Sequence, residues 1–339
     1  MSTNDKKRVT SYDVAKEAGV SQSAVSRVFL EGRSVSKATR KKVLATANRM
    51  GYKPNAIARM LITKRSGMVA VIMSTTANLN YPEVLSLVNE NLRHRNERLL
   101  LFTLDDEAGL SALLEQIWTF QVDGVIALAA HFDHQTLTQF KEHGIPVVLY
   151  NRKVSDQSAN SVCCNHEHGI GLLIDLLIDH NHKNFLIVSG PSVSEVGRER
   201  RAVAVTHLEK KGFSDVPIVS GDYSYDSGRQ ALRQHDPVKS KTTAVICGND
   251  AMALGVIDEA RETFGLKIPE DLSVVGFDGI NPANWYSYQL TTIKQPIEQM
   301  TKAAIDILIE QIEDPTSPAQ LRMWSGKLIE GNSVAKAKS

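Results

Sequence analysis

Residues 11–29 read SYDVAKEAGVSQSAVSRVF, two short apolar-periodic runs on either side of a Gly-Val-Ser corner. The first run predicts a short helix with an apolar stripe made of Val14, Ala15 and Ala18. Gly19 can adopt the left-handed conformation of a tight turn, and Ser21 is a favourable N-cap for a second helix. Two helices joined by a short turn that contains glycine form a helix-turn-helix, so this segment predicts a unit that reads DNA.

The second predicted helix has separate polar and apolar faces. At about 100° per residue, the polar face spans an arc of roughly 140° and consists of Gln22, Ser23, Ser26 and Arg27. The remaining arc holds Val25, Val28 and Phe29. An arginine can bond both O6 and N7 of a guanine, which discriminates between bases by about 1–3 kcal/mol, so Arg27 is the strongest candidate for reading sequence.

A third helix follows, and the charge of the first 65 residues sets this part apart from the rest. Ser36 can cap the helix, Gly51 can end it, and its predicted inward face consists of Val43, Leu44, Ala47 and Met50. Residues 1–65 hold 15 Lys and Arg against 4 Asp and Glu, a net charge of +11, whereas the remainder carries −10. A basic head on an acidic body indicates a polyanionic partner for the head. The side chains expected to contact phosphate or solvent are Lys37, Arg40 and Lys41.

The segment 52–66, YKPNAIARMLITKRS, predicts a short hinge helix. Pro54 and Asn55 form a helix start signal, but residues 55–63 make only about two turns, which is marginal for an isolated helix. We therefore expect this helix to gain order from a partner. Leu61 is an apolar residue in a basic segment, and it fits either a wedge between base steps of a minor groove or a linker leucine packed on the body.

The remainder of the chain alternates between apolar runs and amphipathic stretches. The candidate strands are MVAVIM, LLLFTL, GVIALA, PVVLY, SVCCN, FLIVSG, AVICG and LSVVGF, and the candidate helices include residues 82–96, 109–121, 167–179 and 250–264. This alternation predicts an α/β body of parallel, doubly wound sheets with helices on both faces. Because about ten βα units are too many for one small open sheet, we predict two lobes between which the chain crosses.

Polar and aromatic residues follow several of the predicted strands. They are Asn151, Tyr223, Asn249 and Asp278. Ligands of open α/β sheets bind beyond the carboxyl ends of the strands. Amide and carboxylate groups bridge vicinal hydroxyls, and an aromatic ring packs on the C–H face of a sugar, so this set predicts a site for a sugar or another polyol. Asp250, at the start of a predicted helix, is expected to be its cap.

The sequence gives little support to other functional classes. The CCNHEH run at 163–168 looks like a set of metal ligands, but Cys163 and Cys164 would point to opposite faces of a strand, and neither CxxC nor HExxH spacing occurs. We expect no metal, no cofactor and, without a nucleophile–base constellation, no enzymatic activity. No run approaches the ~18 apolar residues of a membrane span. The polar N-terminus and three cysteines without a disulfide framework lead us to expect a cytoplasmic protein.

The segments VTSYDVAKEAGVSQSAVSRVF and VSKATRKKVLATANRMGYKPNAIARML, together with the pattern of the body, resemble the LacI/GalR family of bacterial transcription repressors. The resemblance covers nearly the whole chain. It implies that the recognition helix reads bases with Gln22, Ser23 and Arg27. It also implies that Leu61 is the minor-groove wedge and that Ile57 lies where two hinge helices meet. The sequence departs from the family at Ala24, where Thr is frequent.

For the body, the resemblance implies an effector cleft in which Arg200 grips the ligand beside Asn151, Tyr223, Asn249 and Asp278. The family usually has Gly and an aromatic residue at the positions of Val203 and Ala204, so we expect the helix that carries Arg200 to pack differently here. Three further arginines adjoin these residues in sequence: Arg152 follows Asn151, and Arg198 and Arg201 flank Arg200. If two of them converge on the cleft, an acidic or phosphorylated sugar is favoured, and the alternative is that Arg198 and Arg201 are solvated helix charges.

These considerations predict the following boundaries. The helix-turn-helix domain spans residues 1–65, with the hinge helix at about 54–63. The effector-binding and dimerisation domain spans 66–339, with an N-lobe of about 67–163 and 296–323 and a C-lobe of about 164–295 and 324–333.

Three functional hypotheses remain at this stage. The first is a homodimeric repressor, controlled by a sugar or sugar derivative, that binds a pseudo-palindromic DNA operator and regulates carbohydrate-utilisation genes. The second is a cytoplasmic sugar-binding or sugar-converting α/β protein with an incidental basic head. The third is a DNA-binding architectural protein that is blind to sequence.

Overall fold

The structure is a computed structural model that describes residues 9–29, 34–53, 60, 65–74, 79–104, 109–128, 132–153 and 159–338. The chain divides into two compact units, Met1–Gly67 and Met68–Ser339. Below, the first unit is called the head and the second the body. None of the helices within the described ranges is both long enough and apolar enough to cross a membrane.

The helices and strands are numbered here in chain order. The helices are α1 Ser11–Ala18, α2 Gln22–Val28, α3 Lys37–Met50, α4 Tyr81–His94, α5 Leu110–Phe120, α6 His134–Glu142, α7 His166–Asp179, α8 Glu195–Lys210, α9 Tyr225–His235, α10 Asp250–Glu262 and α11 Ile297–Glu313. The strands are β1 Met68–Ser74, β2 Arg98–Leu104, β3 Gly124–Ala127, β4 Val147–Tyr150, β5 Asn160–Cys164, β6 Phe185–Ser189, β7 Ile218–Ser220, β8 Ala244–Cys247, β9 Ser273–Asp278, β10 Thr291–Lys294, β11 Leu321–Trp324 and β12 Lys327–Ile329.

The three helices of the head begin and end where the sequence predicts. Ser21 accepts a hydrogen bond from the backbone N–H of Ala24 and caps α2, and Ser36 caps α3 in the same way. Gly19 and Gly51 have positive φ angles of 58° and 65° and end α1 and α3. These caps satisfy backbone groups that a helix end would otherwise leave unpaired. The turn between α1 and α2 is therefore fixed by local sequence.

The core of the head is small and apolar. Its fully buried side chains, which come from all three helices, are Val14, Ala18, Val25 and Val43. The prediction that Leu44 faces inward was wrong, because this side chain is 37% exposed. Inward positions on α3 recur three, four and seven residues after Val43, so Thr46 and Ala47 are buried while Leu44 lies about 100° away on the helix.

The body contains two six-stranded sheets. The first has the order β11-β5-β4-β3-β1-β2 and is parallel throughout. The second has the order β12-β10-β9-β8-β6-β7 and is parallel except for its edge strand β12, which runs antiparallel to β10. The first lobe is defined here as the first sheet with α4, α5, α6 and α11, and the second lobe as the second sheet with α7 to α10. This arrangement confirms the predicted fold class.

Helices cover both faces of each sheet. Successive strand residues point to opposite faces, so each strand contributes apolar side chains to both helical layers. In β1, Val69 and Val71 join the apolar cluster of α4 and α11, whereas Ala70 and Ile72 join the cluster of α5 and α6. The second sheet repeats the pattern, with α7 and α8 on one face and α9 and α10 on the other. Burial of a large aliphatic side chain stabilises the fold by about 1.5–3 kcal/mol, so these layers dominate the stability of the body.

The chain crosses between the two sheets three times. The crossings follow β5 at Asn165, β10 at Gln295 and Pro296, and β11 at residues 325–326. The eight predicted strands are all present. Four short strands, β7, β10, β11 and β12, were not predicted. The predicted four-residue strands β3, β4 and β8 are continuous buried apolar runs, whereas these four mix polar with apolar residues.

Candidate functional site

The polar face of α2 carries the three residues proposed to read bases. Ser23 and Arg27 are exposed and Gln22 is half-buried. The Gln22 amide donates to the Ser26 hydroxyl at 3.0 Å and to the Ser11 hydroxyl at 3.3 Å. Within the described part of the head, the Arg27 guanidinium contacts Ser23 at 3.3 and 3.4 Å, and it can exchange these long contacts for a bidentate contact to a base.

The basic residues at the start of α3 are exposed. Lys37 and Lys41 are exposed, as predicted. Arg40 is also exposed, and its guanidinium donates to the Val28 carbonyl at the end of α2 at 3.2 Å. Arg40 therefore fixes the C-terminus of α2 on α3. The predicted hinge residues Ile57 and Leu61 lie outside the described residues.

The second candidate site lies at the carboxyl ends of the strands in the body. Asn151 follows β4, Tyr223 follows β7, Asn249 follows β8, and Asp278 ends β9. Arg200 reaches this edge from α8. The second lobe thus supplies four of the five predicted effector residues, and the first lobe supplies Asn151.

Arg200 and Asp278 form a buried ion pair at this edge. They are 5% and 4% exposed, and the guanidinium Nη2 lies 2.9 Å from Asp278 Oδ1. Arg200 Nη1 donates to the Gly248 carbonyl at 2.7 Å, and the guanidinium carbon lies 4.1 Å from the centre of the Phe277 ring. Burial by itself would lower the pKa of Arg200, but the attraction of the Asp278 carboxylate outweighs burial and raises this pKa, so the guanidinium stays charged.

Two residues of this cluster were not identified from the sequence. Gln295, at a crossing between the lobes, donates from its amide to Asp278 Oδ1 at 2.6 Å. The Phe277 ring packs under Arg200, a cation–π contact. The sequence signal for Gln295 was its position as a polar residue between a strand and a proline. Phe277 has no such signal, because its pattern is that of an ordinary core residue of its strand.

The two asparagines of the predicted site are held by backbone groups. Asn249 caps α10 by accepting from the Met252 N–H at 3.0 Å, and its amide donates to the Tyr223 carbonyl at 3.0 Å. Asn151 accepts from the Cys164 N–H at 3.2 Å. These bonds fix the loops that shape the site.

Asp250 is not the cap of α10, and that prediction was wrong. Asn249 occupies the cap position, and the fully buried Asp250 accepts from the N–H groups of Gly279 and Ile280 at 2.7 and 2.9 Å and from the Thr292 hydroxyl at 2.5 Å. Burial and the neighbouring charge of Asp278 raise the pKa of Asp250 to about 7, and the three donated hydrogen bonds oppose the shift. Asp250 therefore anchors the loop that follows β9.

Three predicted effector residues have an unusual backbone conformation. Asn151, Tyr223 and Asp278 have positive φ angles of 59°, 74° and 127°. Such conformations cost about 1–3 kcal/mol for a residue with a side chain, and they cluster at functional sites. The Tyr223 ring also packs tightly on Gly190, where a Cβ would lie 2.2 Å from the ring. The local strain coincides with the predicted cleft.

Four buried polar atoms around this cluster have no hydrogen-bond partner among the described groups: Arg200 Nε, Gln295 Oε1, His166 Nε2 and the Tyr223 hydroxyl oxygen. A cavity of about 20 Å³ adjoins Arg200, Gly190, Gly248 and Phe277, enough for one water-sized group. Buried polar atoms are normally paired, and each unpaired atom costs about 1–3 kcal/mol. Donor and acceptor atoms at this edge are thus available to a bound molecule.

The three additional arginines differ in their exposure to solvent. Arg198 and Arg201 are exposed, in line with the reading as solvated helix charges, and Arg198 donates to the carbonyls of Ser192 and Val193. Arg152 is half-buried, and burial lowers its pKa, an effect that Tyr81 and other neighbours oppose. Of the three additional arginines, Arg152 is therefore the most buried.

The CCNHEH run forms the end of β5 and the start of α7. Cys163 and Cys164 are both buried, and burial raises the pKa of Cys164 to about 11. Across the part of the chain that the structure describes, no group of three or more His, Cys, Asp or Glu side chains could hold a metal ion.

Known proteins resemble this chain over both units. A family model of bacterial regulatory proteins of the lacI family matches residues 10–55, and one of a periplasmic binding protein-like domain matches residues 174–334. Catabolite control protein A of Priestia megaterium is 34% identical over 312 residues, 91% of this chain and 94% of that protein.

Two solved structures extend the likeness to the fold. The Lac repressor dimer bound to operator and the anti-inducer ONPF matches with a TM-score of 0.87 and 27% identity, covering 97% of this chain and 100% of that one. A complex of the transcriptional regulator CelR with cellobiose matches with a TM-score of 0.74 and 27% identity, covering 96% of this chain and 100% of that one. With a helix-turn-helix head and a two-lobed body in the same order, the chain belongs to the LacI family of bacterial regulatory proteins.

Proposed function

We propose that the protein is a homodimeric, sequence-specific repressor that binds a pseudo-palindromic DNA operator and responds to a small sugar or sugar derivative in its cleft. Two heads would read successive major grooves with Gln22, Ser23 and Arg27. Hinge helices at about 54–63 would meet at Ile57 and place Leu61 in the minor groove. The proposed setting is the cytoplasm, and the proposed targets are carbohydrate-utilisation genes.

Control by the effector would act through the lobes. A ligand held by Arg200 and Asp278 would change the relative angle of the lobes and therefore the spacing of the two hinges. Such a coupling between two sites typically amounts to ~1–3 kcal/mol. The Lac repressor structure similar to this chain contains operator and a small molecule together, which supports a two-site arrangement.

The observation that carries the effector part is the buried Arg200–Asp278 pair with unpartnered atoms beside it. Arg200 Nε is a donor and Gln295 Oε1 is an acceptor. A sugar hydroxyl can both accept and donate, so a polyol satisfies the two atoms alike. Cellobiose, bound to the similar regulator CelR, is a sugar, which supports this class of ligand. Because Arg198 and Arg201 are exposed, we favour a neutral sugar over an acidic one.

A thermal-shift screen of the full chain tests the ligand class. Neutral sugars, sugar acids, sugar phosphates and nucleobases form its four arms. A ligand at 100 times its Kd stabilises the folded state by about 2.7 kcal/mol, so a neutral sugar should raise the unfolding midpoint. Asp278→Asn should abolish the shift, and the matched surface variant Lys210→Ala should keep it. A response to nucleobases alone, or a sugar response that survives Asp278→Asn, would contradict the proposed site.

Selection from a random duplex library tests the DNA part. We expect an inverted repeat, bound with a salt slope near −0.9 per phosphate contact. Arg27→Ala should weaken binding to the selected repeat by roughly 5- to 150-fold, as expected for the loss of ~1–3 kcal/mol, and should change binding to a scrambled duplex little. Arg93→Ala removes the same charge from an exposed site on α4 and should have no such effect.

The remaining hypotheses predict other outcomes of these experiments. A sequence-blind architectural protein would bind palindromic and scrambled duplexes equally, and Arg27→Ala would weaken both alike. Turnover of a sugar without any duplex preference would overturn the proposal in favour of a sugar-converting protein.

A further inference from the structure

A cluster of three charged or titratable side chains links the two lobes beside the cleft. Lys153 follows β4 of the first lobe, whereas Glu199 lies on α8 of the second lobe. Lys153 Nζ lies 2.6 Å from Glu199 Oε1. His166, the first residue of α7, places its Nδ1 2.9 Å from Glu199 Oε2. Both oxygens of one carboxylate are therefore occupied, one from each lobe.

The cluster is built as a positioned ion pair rather than a chance surface contact. The side chains of Lys153 and Glu199 are 36% and 29% exposed, and that of His166 is 1% exposed. Burial opposes the charged form of Glu199, but the hydrogen bonds from His166 and Lys153 outweigh it and lower its pKa to about 2. Burial and the nearby Arg200 charge lower the pKa of His166, so the neutral ring donates Nδ1–H to Glu199.

Two other ion pairs of the body each stay within one lobe. Lys211 Nζ lies 2.7 Å from Asp175 Oδ1 and joins α8 to α7 inside the second lobe. Arg95 and Asp306 join α4 to α11 inside the first. By contrast, the Lys153–Glu199 pair spans the gap between the lobes, where a contact can report or resist their relative movement.

Glu199 also precedes Arg200 on α8, so the ion pair and the buried Arg200–Asp278 pair share one rigid element. We propose that the Lys153–Glu199 ion pair is a latch between the two lobes, that His166 positions its carboxylate, and that the latch biases the body toward the lobe arrangement described here. This proposal does not depend on the identity of the effector or on DNA binding. A movement of α8 would strain or break the contact to Lys153.

Spin labels on the two lobes of the full chain test the latch. Lys141→Cys on α6 and Glu209→Cys on α8 introduce exposed label sites, and the three natural cysteines are buried. Mixing labelled with excess unlabelled chain restricts the measured distances to one chain. Lys153→Met should shift or broaden the interlobe distance distribution of the ligand-free protein. Lys153→Arg keeps the positive charge and should give the same distribution as the parent.

The matched control is Lys211→Met, which removes an ion pair of similar length within one lobe and should leave the distribution unchanged. His166→Ala should act like Lys153→Met, whereas His166→Asn, which keeps a donor near Nδ1, should resemble the parent. Equal distributions for the parent and Lys153→Met would overturn the latch. An effect of Lys211→Met as large as that of Lys153→Met would do the same. Circular dichroism identifies any variant that fails to fold, and the surface variant Lys153→Met keeps the test decisive if His166→Ala does not fold.

Discussion

At the scale of single residues, the cleft combines strain with a buried pair of charges. Asn151, Tyr223 and Asp278 hold positive φ angles, and Asp278 also receives hydrogen bonds from Arg200 and Gln295. Removing one member of a buried pair leaves the other charge uncompensated, at a cost of about 3–5 kcal/mol. Such an arrangement persists only if the surrounding structure holds it, which supports a functional reason for its presence.

The ionised carboxylate of Glu199 stabilises the folded state, and the size of this stabilisation depends on pH. Its folded pKa of about 2 lies below the ordinary value of 4.5, so its contribution is fully present above about pH 4.5 and is lost as the pH falls through about 2. Allowing for its partial exposure, we expect about 1–3 kcal/mol. Glu199→Gln should lower the free energy of unfolding at pH 7 and flatten its decline between pH 4.5 and 2.

Urea unfolding at a series of pH values measures this contribution. Glu209→Gln on the same helix is the control, because Glu209 is exposed, and its curve should parallel the parent's. If Glu199→Gln and the parent lose stability equally between pH 4.5 and 2, the assigned ion pair does not stabilise the folded state.

At the scale of elements, α9 and α10 show how glycine sets a helix–helix distance. A Cβ at Gly228 would lie 2.1 Å from the Met252 carbonyl oxygen, and one at Gly255 would lie 2.0 Å from the Tyr225 carbonyl oxygen. The two backbones therefore approach more closely than side chains would allow. Glu259 is fully buried at this interface and is paired with Arg229 and Arg233.

Gly228→Ala should separate α9 from α10, because rigid backbone cannot yield to the added methyl group. We expect a loss of about 1–3 kcal/mol in the free energy of unfolding. Gly171→Ala is the matched control, since the nearest atom to its Cβ would belong to the His207 side chain, at 3.2 Å, and alanine favours the helix. Equal stability of the Gly228 and Gly171 variants in urea unfolding would show that the backbones are free to separate.

Helices and strands could be predicted where their ends or their apolar pattern are marked by neighbouring residues. Ser21, Ser36 and Gly19 mark helix ends because capping needs only neighbours in sequence. The cap of α10 was predicted wrongly because two adjacent polar residues, Asn249 and Asp250, could each have served. The choice depends on the Gly279 and Thr292 groups, which bind Asp250 and are distant in sequence. The antiparallel direction of β12 depends on the third crossing between sheets, which has no sequence pattern.

At the scale of the whole molecule, the head and the body have separate cores. Val25 is fully buried in the head, and Val245 is fully buried in the second lobe of the body. Since each core is complete within its own unit, we expect heat to unfold the chain in two transitions rather than one.

Calorimetry of core variants tests that expectation. Val25→Ala should lower only the smaller transition and Val245→Ala only the larger, each by a destabilisation of about 1–3 kcal/mol. A single transition that both substitutions shift would show that the units unfold together.

Sequence alone was enough to predict the helix-turn-helix with its caps, the α/β class of the body and eight of its apolar strands, because these depend on contacts between near neighbours and on hydrophobic period. It also indicated Asn151, Tyr223, Asn249 and Asp278 as residues at strand ends. The folded chain was needed to see that Arg200 pairs with Asp278, 78 positions away, and that Lys153 contacts Glu199 across the lobes. Those partners are chosen by how two sheets and three crossings pack, and no local pattern encodes that choice.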